Sequence, residues 1–410
     1  MAWITWRGRF SWNLITSRLI LLLPRLTRNP AAGKKRAGNA PSVSGSRAVM
    51  TPRMRIDRTL FVVVLLAAAG NVTAQATHQN IASACAGCHA SAARLQPDTP
   101  MGRGMQWPDA NPLFKSHPQL KFRKGQCTYT VETKASQPVY SVTDGTRTIS
   151  LPIRWDFGKG AQTWVLEMNG ELYESMVSYY PSIEGLEITT GDESLTPQTL
   201  EEAVGRKLRE GEPQDCFGCH STSAVSGGKL HLQTLEPGVT CEHCHNGALA
   251  HLVAALQGEA SDTAPPDLRK LSSEDTANFC GQCHRTWETV VRSRWRGEIN
   301  VRFQPYRLSN SKCFDGTDPR ISCIACHDPH QDLVREDNYY DVKCLACHAS
   351  RNEPTNASRQ TTNHRDAKAC AVASGGCVSC HMPKVKLPNG LMTFHDHEIR
   401  IVKPGAPYPD

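Results

Sequence analysis

The sequence predicts a mostly α/irregular fold: short helices, irregular connections and one small antiparallel β insert. Three observations predict it. A five-residue phrase, Cys-x-x-Cys-His, occurs seven times in the 410 residues. Six copies follow one another from Cys216, with 25, 39, 43, 21 and 33 residues between successive first cysteines. Such gaps hold little beyond a short helix at each phrase. Between residues 126 and 190 the phrase is absent, and apolar residues alternate with polar ones at the period of a half-buried strand. Hydrophobic content of 39% and aromatic content of 7% are modest for this length, as expected where a prosthetic group fills much of the interior.

Residues 1–76 read as an export signal behind an upstream extension. Met54-Arg55-Ile56-Asp57-Arg58 is basic, residues 60–69 are apolar, and Thr73-Ala74-Gln75-Ala76 supplies an A-x-A site. The apolar run is too short to span a bilayer comfortably, so cleavage near Ala76 is expected rather than a stable membrane anchor. A true start at Met50 or Met54 accounts for the Gly/Ala/Ser/Lys-rich tract upstream. No cysteine closes the apolar run, so no lipid anchor is expected. The formal net charge of +7 belongs to this segment. It holds 12 of the 46 basic residues and one of the 39 acidic ones, which leaves the remainder at −4. That balance excludes a basic nucleic-acid surface.

Residues 77–125 carry the first phrase and a Pro/Gly-rich run over 97–105. Residues 126–190 form the β insert. Cys127, Tyr129 and Val131 alternate with polar residues, as do Ile149, Leu151, Ile153 and Trp155, then Trp164, Leu166 and Met168. Asp144-Gly145 and Asn169-Gly170 are hairpin signals. Residues 191–402 form a six-phrase core. It opens with a helix expected over 195–212, started by Thr196-Pro197, with Leu200, Ala203, Val204 and Leu208 at helical spacing. Residues 262–266 read as a loop and 403–410 as an extended tail.

C-x-x-C-H is the attachment sequence of c-type haem: two thiols add to the porphyrin and the histidine ligates iron. The phrases are Cys85, Cys88 and His89; Cys216, Cys219 and His220; Cys241, Cys244 and His245; Cys280, Cys283 and His284; Cys323, Cys326 and His327; Cys344, Cys347 and His348; Cys377, Cys380 and His381. Seven covalently attached haem c groups are therefore expected, stacked among the short helices. Zinc sites use two cysteine pairs per metal, but seven pairs is an odd number, and neither zinc nor a disulfide needs histidine after the second cysteine each time. Cys127, Cys313 and Cys370 are left over, and an oxidising compartment allows two of them to pair.

Function turns on the second axial ligand. A haem liganded on both faces passes electrons, whereas one open face binds and transforms a small molecule. His243 is pinned inside a phrase and His78 lies near the new N-terminus. That leaves His117, His231, His251, His330, His364, His395 and His397 as distal candidates, seven for seven haems. His330 lies three residues after His327, on the same face of a helical turn, and cannot wrap to the other side of that ring. It must serve a neighbouring haem, and the same holds for His251 after His245. One of His395 and His397 is expected to ligate, with Asp396 orienting a ring nitrogen. Met101 and Met105 are alternatives for the first haem, against a role as core methionines. Arg302 and Arg307 are candidates for pairing with haem propionates, against ordinary surface charge.

These residues resemble the multihaem c-type cytochrome superfamily, which includes small tetrahaem electron carriers, pentahaem nitrite reductase and octahaem hydroxylamine oxidoreductase. Cys377-Val378-Ser379-Cys380-His381-Met382-Pro383, followed by Phe394-His395-Asp396-His397, looks like a closing motif common there. Val239-Thr240-Cys241-Glu242-His243-Cys244-His245, with His251 downstream, is similar to a mid-chain motif of the same group. The chain also resembles cytochromes often fused to tetratricopeptide repeats, although no repeat is expected before Asp410. The resemblance implies a multihaem cytochrome c fold and electron transfer in respiratory or extracellular chains. It implies a periplasmic or otherwise exported location. The partners would be donor and acceptor cytochromes or a membrane quinol-oxidising complex, with no nucleic acid, and the oligomeric state stays open. Two departures favour a carrier over an enzyme. Nitrite reductases carry lysine in place of one phrase histidine, whereas all seven phrases here end in His. Hydroxylamine oxidoreductases cross-link a tyrosine to haem, and none of Tyr179, Tyr180, Tyr306, Tyr339 and Tyr340 is marked for that. The alternatives are an oxidoreductase of a small nitrogen or sulfur compound at one open haem, and a subunit of a conducting filament. The first haem, 131 residues from the next, is the expected place for an open face.

Overall fold

Helices in this protein are short because little in the sequence sustains them and much starts and stops them. A computed structural model describes residues 83–259, 263–348, 370, 372–403 and 405–409. The expected export signal, His78 and His364 lie outside these residues. The helices are α1 (Ala90–Leu95), α2 (Leu113–Ser116), α3 (Leu200–Val204), α4 (Glu212–His220), α5 (Cys241–Cys244), α6 (Ala248–Leu256), α7 (Ser273–His284), α8 (Trp287–Ser293), α9 (Gln304–Ser309), α10 (Cys323–Cys326), α11 (Asp341–His348) and α12 (Cys377–His381). Thr199, Ser272, Thr286 and Ser322 each cap a helix by accepting a hydrogen bond from the backbone N–H three residues on. Pro213 and Pro305 stand in the first turns of α4 and α9. The longest helix among the described residues has 12 residues, near the lower limit for a helix to persist alone, so packing must hold all of those described.

The β part is larger than the sequence predicts, and the architecture is short helices together with several small antiparallel sheets. Its strands are β1 (Met105–Gln106), β2 (Gln119–Lys124), β3 (Cys127–Lys134), β4 (Gln137–Thr143), β5 (Thr148–Pro152), β6 (Trp155–Phe157), β7 (Thr163–Met168), β8 (Glu171–Ser175), β9 (Val177–Tyr180), β10 (Gly185–Ile188) and β11 (Gly205–Lys207). β2 to β5 form a four-stranded meander in chain order, β9 and β10 a ribbon, and a five-stranded sheet runs β1-β6-β7-β8-β11. Strand β2 and the outlying β1 and β11 extend this region beyond residues 126–190. Leu120 and Phe122 pair with Val131 and Tyr129, which continues the alternation upstream. Asn169 and Gly170 join β7 to β8 with φ of 54° and 77°, the type I′ geometry that matches strand twist.

Two clusters hold the sheets. In the first, Trp164 is fully buried, with Tyr140 at 6.4 Å and Phe114 at 6.2 Å between ring centres. Burying a side chain of this kind contributes about 1.5–3 kcal/mol. Tyr140 donates its hydroxyl to the Val204 carbonyl at 2.9 Å, so its polar end is not stranded. In the second, Phe217 stands edge-on against Trp155 at 5.3 Å and Phe157 at 5.1 Å. Phe217 lies inside the second phrase, so the sheet is docked directly onto a Cys-His segment. Met105 belongs to the same cluster, 1% exposed, and packs as a core methionine.

The helix expected over 195–212 breaks. α3 ends at Val204, and Gly205 turns with φ of 155° into β11, which pairs with β8. A Cβ on Gly205 would lie 2.0 Å from the Glu174 carbonyl oxygen. Backbone pairing against β8 therefore overrides the helical spacing of Leu208. Small ribbons complete the described chain: β12 (Ser221–Thr222) with β15 (Glu236–Pro237), β13 (Val225–Ser226) with β14 (Lys229–Leu230), and β16 (Lys384–Lys386) with β17 (Thr393–His395).

Candidate haem sites

Each phrase folds as one helical turn. The Cys-x-x-Cys-His residues close α4, α7, α11 and α12, while α5 and α10 run from first to second cysteine with the histidine next. Residues 83–86 are helical at the first phrase. Positions i, i+3 and i+4 share a helix face. Both thiols and the imidazole are thus presented together, which covalent haem attachment requires.

Three phrase histidines face an imidazole from elsewhere. His89 and His251 have ring centres 6.5 Å apart, His245 and His330 6.0 Å apart, and His327 and His397 6.2 Å apart. Two imidazoles on opposite faces of one metal, each at about 2 Å, place their ring centres roughly 6 Å apart. His330 faces His245 rather than His327, and His251 faces His89 rather than His245, so neither folds back on its own phrase. At two of the three distal candidates the other ring nitrogen is engaged. His330 Nδ1 lies 3.1 Å from Asp328 Oδ1, and His397 Nδ1 lies 3.0 Å from the His395 carbonyl. His220 Nδ1 reaches the Gly104 carbonyl at 2.9 Å, and His381 Nδ1 the Arg400 carbonyl at 2.8 Å. Such contacts select the tautomer that leaves Nε2 for iron. Burial lowers His220 and His327, and pushes His397 down to about 4, which keeps these rings in the neutral, ligating form.

The remaining candidates lie elsewhere. His117 packs against Tyr179 at 5.1 Å in the β part, with Nδ1 2.9 Å from Ser116 Oγ. The backbone N–H of His231 donates to the Ala224 carbonyl beside the β13–β14 ribbon. His395 has Nδ1 2.8 Å from the Met382 carbonyl and Nε2 3.3 Å from Asp337. Among the described residues no imidazole stands at the six-ångström spacing opposite His220, His284 or His381. The first phrase, where an open face was expected, instead has His251 opposite it.

Two expectations are corrected by one buried cluster. Arg307 is 1% exposed and pairs with Asp396 through two bonds of 2.8 and 2.9 Å, with Glu398 at 2.6 Å. It is neither surface charge nor a free partner for a propionate. Asp396 takes Arg307 and Arg400, so it orients no imidazole. Arg302, by contrast, has a buried Nε with no partner among the described residues, as has His251 Nδ1.

Thiols of different phrases influence one another's ionisation: Cys85 and Cys241, Cys219 and Cys283, Cys280 and Cys323, and Cys344 and Cys377. Cys244 likewise acts on Cys280 and Cys283, and Cys326 on Cys344, so the phrases are electrostatic neighbours, with the fourth phrase coupled to the second, third and fifth. Asp341, in α11, accepts from the N–H groups of Gly376 and Cys377 at 2.7 and 2.9 Å and so caps α12. Cys127, Cys313 and Cys370 are unpaired thiols. Among the described residues no three His, Cys, Asp or Glu side chains converge as a bare-ion site. The residues fit covalent haem: thiol pair and imidazole on one face, a second imidazole at axial spacing, and buried donors awaiting an acceptor. No helix among the described residues is long and apolar enough to cross a membrane.

Comparison with known proteins agrees in class. Residues 188–246 match the family described as cytochrome c554 and c-prime. That stretch contains the second and third phrases and the α4 helix. The crystal structure of outer cell wall cytochrome OcwA is similar over 78% of this chain and 79% of that chain, with a TM-score of 0.43 and 15% identity, a likeness too weak to carry fold or function. No curated protein matches. The repeated phrase and the family match support a multihaem c-type cytochrome with covalently bound haem c.

Proposed function

We propose that the chain is an exported heptahaem cytochrome c that passes electrons along closely packed haems in respiratory or extracellular electron transfer. The observation that carries this reading is the three imidazole pairs at axial spacing, in which His251 and His330 each face a phrase other than the one they follow. Bound haem supplies the one-electron couple. The chain's residues would hold it by thiol pairs and orient the ligand rings through carbonyl and carboxylate acceptors. His251, His330 and His397 are the proposed distal ligands at the first, third and fifth phrases. The apolar run ahead of Ala76 is the basis for proposing export, and soluble or membrane-bound redox proteins are the proposed partners.

A second reading rests on one observation: His220, His284 and His381 have no imidazole opposite them among the described residues. An open iron there would suit a reductase or oxidase of a small nitrogen or sulfur compound. The test is the spectrum of the dithionite-reduced protein with and without carbon monoxide, with haem counted as its pyridine complex. Seven haems and no carbon monoxide response support the carrier. A response from one haem or more moves the reading to catalysis. A count near zero refutes both.

A further inference from the structure

The fourth phrase carries a feature that electron passage does not explain. α9 packs on α7, the helix that ends in Cys280, Cys283 and His284, and the turn Glu298–Arg302 packs against α9. Three buried polar atoms along this stretch have no hydrogen-bond partner among the described residues: Asn300 Oδ1, Arg302 Nε and Gln304 Oε1. Arg302 makes no ion pair among the described residues, in contrast to the buried Arg307 and to Arg206, which meets Glu174 at 2.6 Å and Glu212 at 2.8 Å. Burial and the neighbouring Arg285 hold the Arg302 guanidinium below the ordinary arginine range.

Arg285 is placed there at a conformational cost. It follows His284 directly and has φ of 68°, in the left-handed region that side chains rarely adopt. The chain turns back so tightly that a Cβ on Gly281 would lie 2.6 Å from Thr286 Cγ2. The guanidinium then stands over Trp295, 5.7 Å from the ring centre, and acts on His220 in the second phrase. Glu174 acts on Arg302 and Asp215 on Arg285, yet the Arg302 Nε has no acceptor among the described residues, and a buried donor left unmet is costly unless an acceptor joins it. A guanidinium fork matches the two oxygens of a carboxylate.

We propose that Arg302, with Arg285 beside it, forms a carboxylate-binding site at the fourth phrase whose occupant is a propionate of the haem carried there. The proposal rests on the haem reading above. The same chemistry would accept a small free oxyanion, and the experiment separates the two sources. The holoprotein is compared with Arg302→Gln and Arg302→Lys. Haem per chain is counted first, because a deficit in the unaltered protein refutes the haem reading and not this site. Potentials of the individual haems are then followed by spectroelectrochemistry, with and without formate.

The expected result is that Arg302→Gln shifts the reduction equilibrium of one haem about tenfold toward the oxidised form, 59 mV for one electron. Arg302→Lys, which keeps the charge but loses the fork, shifts it less. Formate should have no effect on the unaltered protein. A shift that appears in the unaltered protein only on adding formate, and vanishes in Arg302→Gln, overturns the propionate as occupant and assigns a free oxyanion. Full haem content with no potential moved in either variant overturns the site altogether. If Arg302→Gln loses haem, the Arg302→Lys titration decides by the same criterion.

Discussion

Replacing His330 by alanine should open one haem and only one. His330 and His245 have ring centres 6.0 Å apart and planes 7° apart, and no other imidazole among the described residues shares that spacing with His245. Alanine removes the ring and leaves the Asp328 carboxylate, which lies against Nδ1, on the side away from the axial nitrogen. One of seven phrases loses a ligand, so the carbon monoxide-responsive fraction should rise by one seventh of total haem over the unaltered protein. The assay is the reduced carbon monoxide difference spectrum, scaled to total haem, with the high-spin ferric signal as a second readout. His330→Met should keep that iron six-coordinate and raise its potential. A responsive fraction unchanged from the unaltered protein would refute the pairing. A rise near two sevenths would refute it in another way, because His330 would then be holding neighbouring packing rather than one iron.

Arg307→Met leaves the buried Asp396 with Arg400 as its remaining arginine partner, and should cost about 1.5–3 kcal/mol in unfolding by denaturant. The double variant with Asp396→Asn should recover part of this. The tail should also become protease-sensitive, since Arg307 stands 4.6 Å from the Tyr408 ring and donates to the Pro409 carbonyl. Gly205→Ala meets both an excluded φ and the Glu174 carbonyl, so a loss of about 2 kcal/mol or more in stability is expected. Asp156 is fully buried and its carboxyl is pushed up to about 7 by burial, against a hydrogen bond from Asn111. Its folded pKa exceeds the unfolded one, so the folded state keeps a proton that the unfolded state has released. Stability from this group therefore falls as pH rises from about 4 to about 7 and is level above. Asp156→Asn should lack that slope, measured as the denaturation midpoint against pH.

Local chemistry is what the sequence determined. Thiols and imidazole at i, i+3 and i+4 reach one helix face wherever they stand, so the seven attachment phrases were legible without any tertiary contact. The Asn169-Gly170 hairpin was legible for the same reason, because its φ values depend on two adjacent residues. Helical geometry also showed where His251 and His330 could not go. Tertiary structure alone decided where they did go, since ring pairs such as His89 with His251 depend on how distant helices pack. Arg307 and Asp396 stand 89 residues apart, and only the fold turned two candidate haem contacts into one buried ion pair. The helix expected over 195–212 failed because pairing with β8 rewards the backbone more than helical spacing rewards Leu208. Short strands such as β1 and β11 carry no pattern of their own, and they exist because a neighbouring edge offers them hydrogen bonds.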